Sequence, residues 1–333
     1  MPNVMHRRRP DRLERSCAGA SCDRADWIRV APDAPGLERI EACFAGHGYD
    51  PHRHDTYAVG LTLAGVQAFR YGGRSAASLP GQAVVLHPDE VHDGHAGAEG
   101  GFRYRLAYIE PRLVQAALGP RRSALPFVRE PVSTDARLIA AIAPVLAELD
   151  RPLEELERDA AVAGVAEALA ALDGSSRRTA AAPACRQAVA RARAHLEAHA
   201  GRPVASAELE AVTGLGRFEL ARQFRACLGT SPYRYQVLRR LERARALLLA
   251  GTAPAAAAAA AGFSDQSHMI RQFRRAYGLT PGHWLRLVAA GRQPLDSART
   301  PADRGLSKPA GAGPGAISIE VGYEGAGLRW RPR

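Results

Sequence analysis

The chain has 333 residues, 46% of them hydrophobic and 24% charged. These are ordinary globular values that exclude both a wholly disordered chain and a membrane protein. At ~100 to 200 residues per domain the length predicts two folded units, each burying its own core. The net charge is +11, carried by 45 cations of which Lys308 alone is a lysine, and such an excess predicts a polyanionic partner, nucleic acid first.

The basic start, MPNVMHRRRP, has no apolar segment of a secretory signal, and no apolar run approaches the ~20 residues that cross a bilayer. A cytoplasmic protein without a membrane partner is expected. The cysteines (Cys17, Cys22, Cys43, Cys185, Cys227) are odd in number and scattered, which predicts reduced thiols.

Residues 1–24 read as a disordered basic arm, and 25–132 as a strand-rich domain. Tyr57, Val59, Leu61 and Leu63 alternate, as do Phe102, Tyr104, Leu106 and Tyr108, so that each set lines one face of a sheet. Gly and Pro at Gly65, Gly72, Gly73, Pro80 and Gly81 separate short strands, which suits a small antiparallel barrel or sandwich. From 133 to 172 the period lengthens: Leu138, Ile142, Val145 and Leu149, then Val162, Val165, Leu169 and Leu172, mark two amphipathic helices. Their stripe serves either as a dimer seam or as a cover for the barrel. Residues 173–184 have the composition of a linker, 185–290 are helical, and 291–333 read as a disordered tail.

Charge follows the same division. Residues 186–290 hold 16 arginines against 6 acids, whereas 135–173 hold 9 acids against 3 arginines. Within the basic region the chain repeats itself. Arg222-Gln223-Phe224-Arg225, Gly229 and Pro232 match Arg271-Gln272-Phe273-Arg274, Gly278 and Pro281 at an offset of 49 residues. Helix, glycine turn, helix, glycine stop and proline make a helix-turn-helix layout, here used twice. Leu220 and Phe224 point inward in the first copy, Met269 and Phe273 in the second. Phe218, Ala221, Arg222 and Arg225 are left outside in one, and Gln266, Ser267, His268 and Arg271 in the other. Arginine suits guanine and glutamine suits adenine, so these surfaces fit base reading as well as backbone contact.

The segment GLGRFELARQFRACLGTSPYRYQVLRRLERARALLLAG, followed by AAGFSDQSHMIRQFRRAYGLTPGHW, closely resembles the DNA-binding domain of AraC-type (AraC/XylS) transcriptional regulators. The resemblance implies two helix-turn-helix units on one face of a promoter, with Phe218, Ala221 and Arg222 at the first recognition helix and Gln266, Ser267, His268 and Arg271 at the second. Arg217, Arg225 and Arg274 on the same helices are further DNA-binding candidates. Gly216 stands at the family's serine N-cap, Glu210 where a small alanine faces the partner helix, and Ala257 where a larger aliphatic residue is common. These departures predict looser units.

PHRHDTYAVGLTLAGVQAFRYGGR, LPGQAVVLHPDEVHDG and FRYRLAYIEP resemble the family's cupin-like sensor barrel. The fold class expected is therefore α+β and multidomain: an N-terminal cupin-like barrel with two following helices, and an all-α C-terminal domain. His52, His54, Tyr57 and His92 are the effector-binding candidates, with Tyr57, Arg70, Tyr71 and Tyr104 as pocket or core residues. His52, His54 and His92, with His87 or Glu90 as a fourth ligand, also resemble a metal-binding cupin set. The glutamate expected after His-x-His is absent, so no metal and no cofactor are expected. The function implied is a ligand-responsive, sequence-specific, non-enzymatic regulator acting at promoter DNA in a bacterial nucleoid. It would be a homodimer responding to a small molecule, and would contact RNA polymerase if an activator. The alternatives are a metal-dependent cupin enzyme fused to a DNA-binding domain and an architectural DNA binder.

Overall fold

The computed structural model describes residues 26–32, 34–119, 124–174 and 183–292. The expected basic arm, most of the linker and nearly all of the tail lie outside them, as do Cys17 and Cys22. Nine strands come first: β1 (Trp27–Val30), β2 (Leu37–Phe44), β3 (His47–His52), β4 (Tyr57–Gly65), β5 (Gln67–Tyr71), β6 (Arg74–Ser78), β7 (Ala83–Leu86), β8 (His92–Ala96) and β9 (Phe102–Ile109). Helix α1 (Pro111–Leu118) and strand β10 (Val132–Ser133) follow. The strands form a six-stranded sheet, β1-β2-β9-β4-β7-β10, and a four-stranded sheet, β3-β8-β5-β6. Every pairing is antiparallel.

Alternation along the six-stranded sheet decides what each face covers. Tyr57, Val59, Ala107 and Ile109 point to one side and pack against α2 (Ala136–Ala147) and α3 (Glu155–Ala171). The stripe offered as a dimer seam is on the other half of that contact: Leu138, Ile142, Val145, Val162, Val165 and Leu169 are all buried against the sheet. Those apolar groups cover the barrel and are not free to meet a second chain. Buried Arg39 on β2 fixes the end of α2, its guanidinium donating to the carbonyls of Glu148 (2.9 Å) and Arg151 (2.7 Å).

Among the described residues the C-terminal half holds seven helices: α4 (Pro183–Ala198), α5 (Ser206–Thr213), α6 (Arg217–Leu228), α7 (Pro232–Leu249), α8 (Pro254–Ala260), α9 (Gln266–Tyr277) and α10 (Pro281–Gly291). The repeat reads directly as structure. Helices α6 and α9 have the same length and end on left-handed glycines, Gly229 (φ 73°) and Gly278 (φ 67°). Pro232 and Pro281 then open the next helices, where proline's missing N–H and fixed φ carry no penalty.

Two expectations need correction. Each half does bury a cluster of its own, but the cores are not independent: Ile40, Phe44, Phe102, Tyr104 and Leu106 of the sheet join Leu238, Leu241, Phe273, Trp284 and Leu287 in a third, shared cluster. The inner face of the six-stranded sheet is wider than the four-stranded sheet that covers it at Ala58, Val84, Phe69 and Tyr71, and the helices cover the rest. Cysteine spacing also gave no sign that Cys43 takes part in a disulfide, whereas Cys185 and Cys227 are free.

Candidate DNA interface and effector cavity

The two recognition helices are started differently. Asp265 caps α9 in the ordinary way, its carboxylate accepting from His268 N (2.7 Å), and that bond holds its pKa low. Gly216 has no side chain to cap α6. Instead Glu210, reaching from α5, accepts from Arg217 N (2.7 Å) and sits 3.5 Å from Arg217 Nε. Two departures from the family pattern thus compensate one another, and the looseness they predicted at α6 does not follow. Ala257 is fully buried.

Both helices leave their N-terminal halves open. Phe218 is 76% exposed, a large aromatic ring left at the surface. Arg222 is exposed and pairs within its own helix, with Glu219. Gln266, Ser267 and Arg271 are exposed on α9, and Ala221 is half-buried. His268 is tied back: Gln272 donates to its Nε2 (3.4 Å), which leaves Nδ1–H to donate to Ser264 Oγ (3.0 Å).

The C-terminal ends are held by the sensor. Arg274 donates from Nε to Asp50 on β3 (2.7 Å), and Arg225 lies 3.7 Å from Asp89. Asp89, the only non-glycine with positive φ among the described residues (64°), also pairs with Arg234 at 2.9 Å. Backbone bonds reinforce the grip on α9: Asp50 N donates to Gly278 O (3.0 Å) and Arg53 N to Arg275 O (3.2 Å). A Cβ on Gly278 would lie 2.7 Å from Asp50 O and 2.8 Å from His52 Nδ1, so β3 approaches this turn as only glycine permits. Arg225 and Arg274, expected at DNA, therefore face sensor carboxylates here.

The effector candidates separate. His52, His54 and His92 do gather, with ring centroids 4.3 Å (His52 to His92), 4.9 Å (His54 to His92) and 6.2 Å (His52 to His54) apart. Each donates Nδ1–H to a carbonyl two residues away, at Asp50 (2.8 Å), Thr56 (2.9 Å) and Glu90 (3.0 Å). Burial keeps all three neutral, pushing His92 down to about 4 and the others well below the usual histidine range. Among the described residues no three of His, Cys, Asp or Glu are arranged to hold a metal ion.

Tyr57 is elsewhere. Alternation on β4 turns it toward the helices, where its hydroxyl donates to Pro126 O (2.8 Å), so it is a core residue. Tyr71 and Tyr104 are buried too. His87 accepts from Val128 N at Nε2 (3.0 Å) and donates from Nδ1 to Tyr71 Oη (2.7 Å), a satisfied core histidine.

His52 and His54 line a cavity of about 450 Å³ at the junction, walled by β1, β2, β3 and β9 on one side and by α7, α9 and α10 on the other. His92 stands behind them, outside the wall. Arg245 crosses the cavity to bind Glu38 through both Nη atoms (2.9 and 2.7 Å), its guanidinium 5.0 Å from the Tyr277 ring centre and 4.8 Å from that of Trp284. None of these four stood out in the sequence. Arg245 is one of five arginines on α7 and reads there as a solvated charge.

A sheet domain with a junction cavity, packed on two helix-turn-helix units, defines a ligand-linked DNA-binding protein. Comparison with known proteins agrees. Residues 34–166 match the AraC-like ligand binding domain, and residues 209–287 a helix-turn-helix domain. The chain is 25% identical over 220 residues to the uncharacterized HTH-type transcriptional regulator YbfI of Bacillus subtilis, covering 66% of this chain and 80% of that one. It is 32% identical over 88 residues to the probable transcriptional regulator LumQ of Photobacterium leiognathi, covering 26% and 36%. ToxT of Vibrio cholerae shares the fold, with a TM-score of 0.56 at 11% identity over 76% of this chain and 98% of that one. ToxT has also been solved with an unsaturated fatty acid bound, a match of TM-score 0.55 at 12% identity over 80% and 98%. The chain belongs to the AraC-type transcriptional regulators, and it is a ligand-responsive, sequence-specific DNA-binding regulator.

Proposed function

We propose that promoter DNA is read by Phe218, Arg222, Gln266, Ser267 and Arg271, supported by Arg217, Ala221 and His268, and that a small molecule in the junction cavity adjusts how the two recognition helices are held. One observation carries this reading: both helices are open at their N-terminal halves and gripped by the sensor at their C-terminal ends. Base-reading residues sit in the N-terminal part of such helices. His52 connects the two functions, since it lines the cavity and abuts Gly278 at the end of α9. The small molecule bound by ToxT supports a ligand role for this fold.

In this reading Arg225 and Arg274 reach DNA phosphates only when the grip loosens. The chain acts without catalysis in a bacterial cytoplasm, on the nucleoid when bound, and meets RNA polymerase if it activates. A homodimer would use surface other than the covered stripe, and Leu156, 84% exposed on α3, is one large apolar group that remains outside. Arg271→Ala should cost about 1–3 kcal/mol on the cognate site and little on random duplex at fixed salt. Equal losses on both would remove the base-reading role.

A further inference from the structure

The junction cavity is unevenly charged. Four carboxylates reach its wall, Glu38, Asp55, Glu110 and Glu242, against the single guanidinium of Arg245. Arg245 is already matched by Glu38. Behind the wall Arg239 serves the other three: one Nη lies 3.0 Å from Asp55 and 2.8 Å from Glu242, the other 3.4 Å from Glu110. Arg112 adds a second contact to Glu110. Asp55 and Glu242 thus share one nitrogen.

Beside them stands an unanswered acceptor. His54 gives its Nδ1–H to Thr56 O, so its Nε2 is a lone pair; that atom is buried, with no hydrogen-bond partner among the described residues. A buried acceptor left in this state carries a desolvation cost that a donor would remove. The rest of the wall includes Ile28, Ile40, Leu238, Leu279 and Trp284, an apolar surface for the body of a ligand.

Arg245 Nε is also without an acceptor, but the charge of that guanidinium is balanced by Glu38. It suits a hydroxyl or carbonyl oxygen better than a second anion. A ligand carboxylate would enter among carboxylates that already share their cations. A plain hydrocarbon would leave His54 Nε2 unmet. Arg234 and Arg239 already supply positive charge here, but neither gives an N–H to His54 Nε2; a protonated amine brings that donor together with a charge for carboxylates that share one guanidinium nitrogen.

Taking the cavity as the effector site, we propose that it receives a primary amine on an apolar body, the ammonium lodged between His54, Asp55 and Glu242 and the body against Leu238, Leu279 and Trp284. Partial burial and the neighbouring Asp55 and Glu110 carboxylates, only partly offset by Arg239, push the half-exposed Glu242 carboxyl up to about 7. An ammonium beside it favours the ionised form, so binding at neutral pH releases a proton from Glu242.

The test compares three probes with one tail and different heads on the full chain: n-octylamine, n-octanol and n-octanoate. Trp284 emission and thermal stability report binding, with Trp284→Phe as the control that removes the optical signal. The amine should bind about 10- to 100-fold more tightly than the alcohol, as hydrogen bonds to charged groups allow, with the carboxylate weakest. Glu242→Gln should close most of that gap. If this variant fails to fold, Asp55→Asn and the ranking on the native chain decide. Octanoate binding as tightly as octylamine overturns the amine assignment while the cavity stands as the effector site. No change in Trp284 emission with any probe overturns the assignment and the cavity's role together.

Discussion

The compensation between Glu210 and Gly216 can be measured. Glu210→Ala removes the carboxylate that accepts from Arg217 N at 2.7 Å. A cap bond of this kind contributes about 1 kcal/mol, and the exposed pair with Arg217 Nε, at 3.5 Å, adds little because water screens it. The first turn of α6 should then open more readily, and its amides exchange about fivefold faster, the factor that 1 kcal/mol represents. Gly216 offers the rescue. Its backbone is extended (φ −63°, ψ 150°) and nothing lies within 4 Å of an added Cβ, so serine fits there and can cap the helix itself. Gly216→Ser should therefore recover about half a kcal/mol in the Glu210→Ala background and add much less to the native chain, where the cap is already filled. Hydrogen exchange at residues 217–220 in the four proteins reads the cycle. Equal effects of Gly216→Ser in both backgrounds, or unchanged exchange in Glu210→Ala, would refute the compensation.

Acid should destabilise the sensor. His87 and His92 are pushed down to about 4 by burial; the stability they contribute is present above pH 6.5 and lost as pH falls toward 4, about 2 kcal/mol each by pH 5. Glu242, raised to about 7, acts weakly in the opposite sense because about half of its side chain stays in water, so urea midpoints should fall from pH 7 to 5 and fall slightly more steeply in Glu242→Gln; a flat profile contradicts the burial argument. Asp50→Asn should free Arg274 for a phosphate, steepening the dependence of log K on log salt by about 0.9, and an unchanged slope means Arg274 never reaches DNA. Leu156→Glu should dissociate any homodimer in sedimentation, whereas Val165→Ala should mainly lower the melting temperature of the sensor because Val165 is fully buried against the sheet.

The helix-turn-helix pair was legible because its signals are local. Gly229 and Gly278 stop helices, Pro232 and Pro281 start them, and Asp265 caps one, each through its own backbone. What lies against what was not legible. The alternation of Phe102, Tyr104 and Leu106 marks a buried face but says nothing of Phe273 and Trp284 as the groups that bury it. A period of three and four residues at Leu138 and Ile142 is the same whether the stripe meets a barrel or a second chain. The His-x-His motif leads to the junction cavity, yet the charges around it come from β2, the start of α1 and α7. In sequence Glu38, Arg239 and Arg245 have the spacing of solvated residues. Glu210 was seen as a misfit because its partner, Arg217 N, is a backbone group that no side-chain pattern reveals.

Energy scales decide how an effector could act. Swinging the domains apart would expose the shared core, and uncovering Ile40, Leu106, Leu238 and Leu287 alone would cost about 6–12 kcal/mol at about 1.5–3 each. Allosteric couplings are about 1–3 kcal/mol. The ligand therefore cannot work by releasing the DNA-binding half. The grip of β3 on α9 is of the right size. It consists of two backbone hydrogen bonds, at 3.0 and 3.2 Å, and the Arg274–Asp50 pair, each contributing about 0.5–1.5 kcal/mol. His52 sits on that strand, with one side in the cavity wall and its Nδ1 where a Cβ on Gly278 would go. A ligand that moves His52 by a fraction of an ångström disturbs this contact and leaves the core closed. The regulated quantity is then the setting of α9 against α6, and an effector that changed the radius of gyration of the protein by several ångströms would show that this reasoning is wrong.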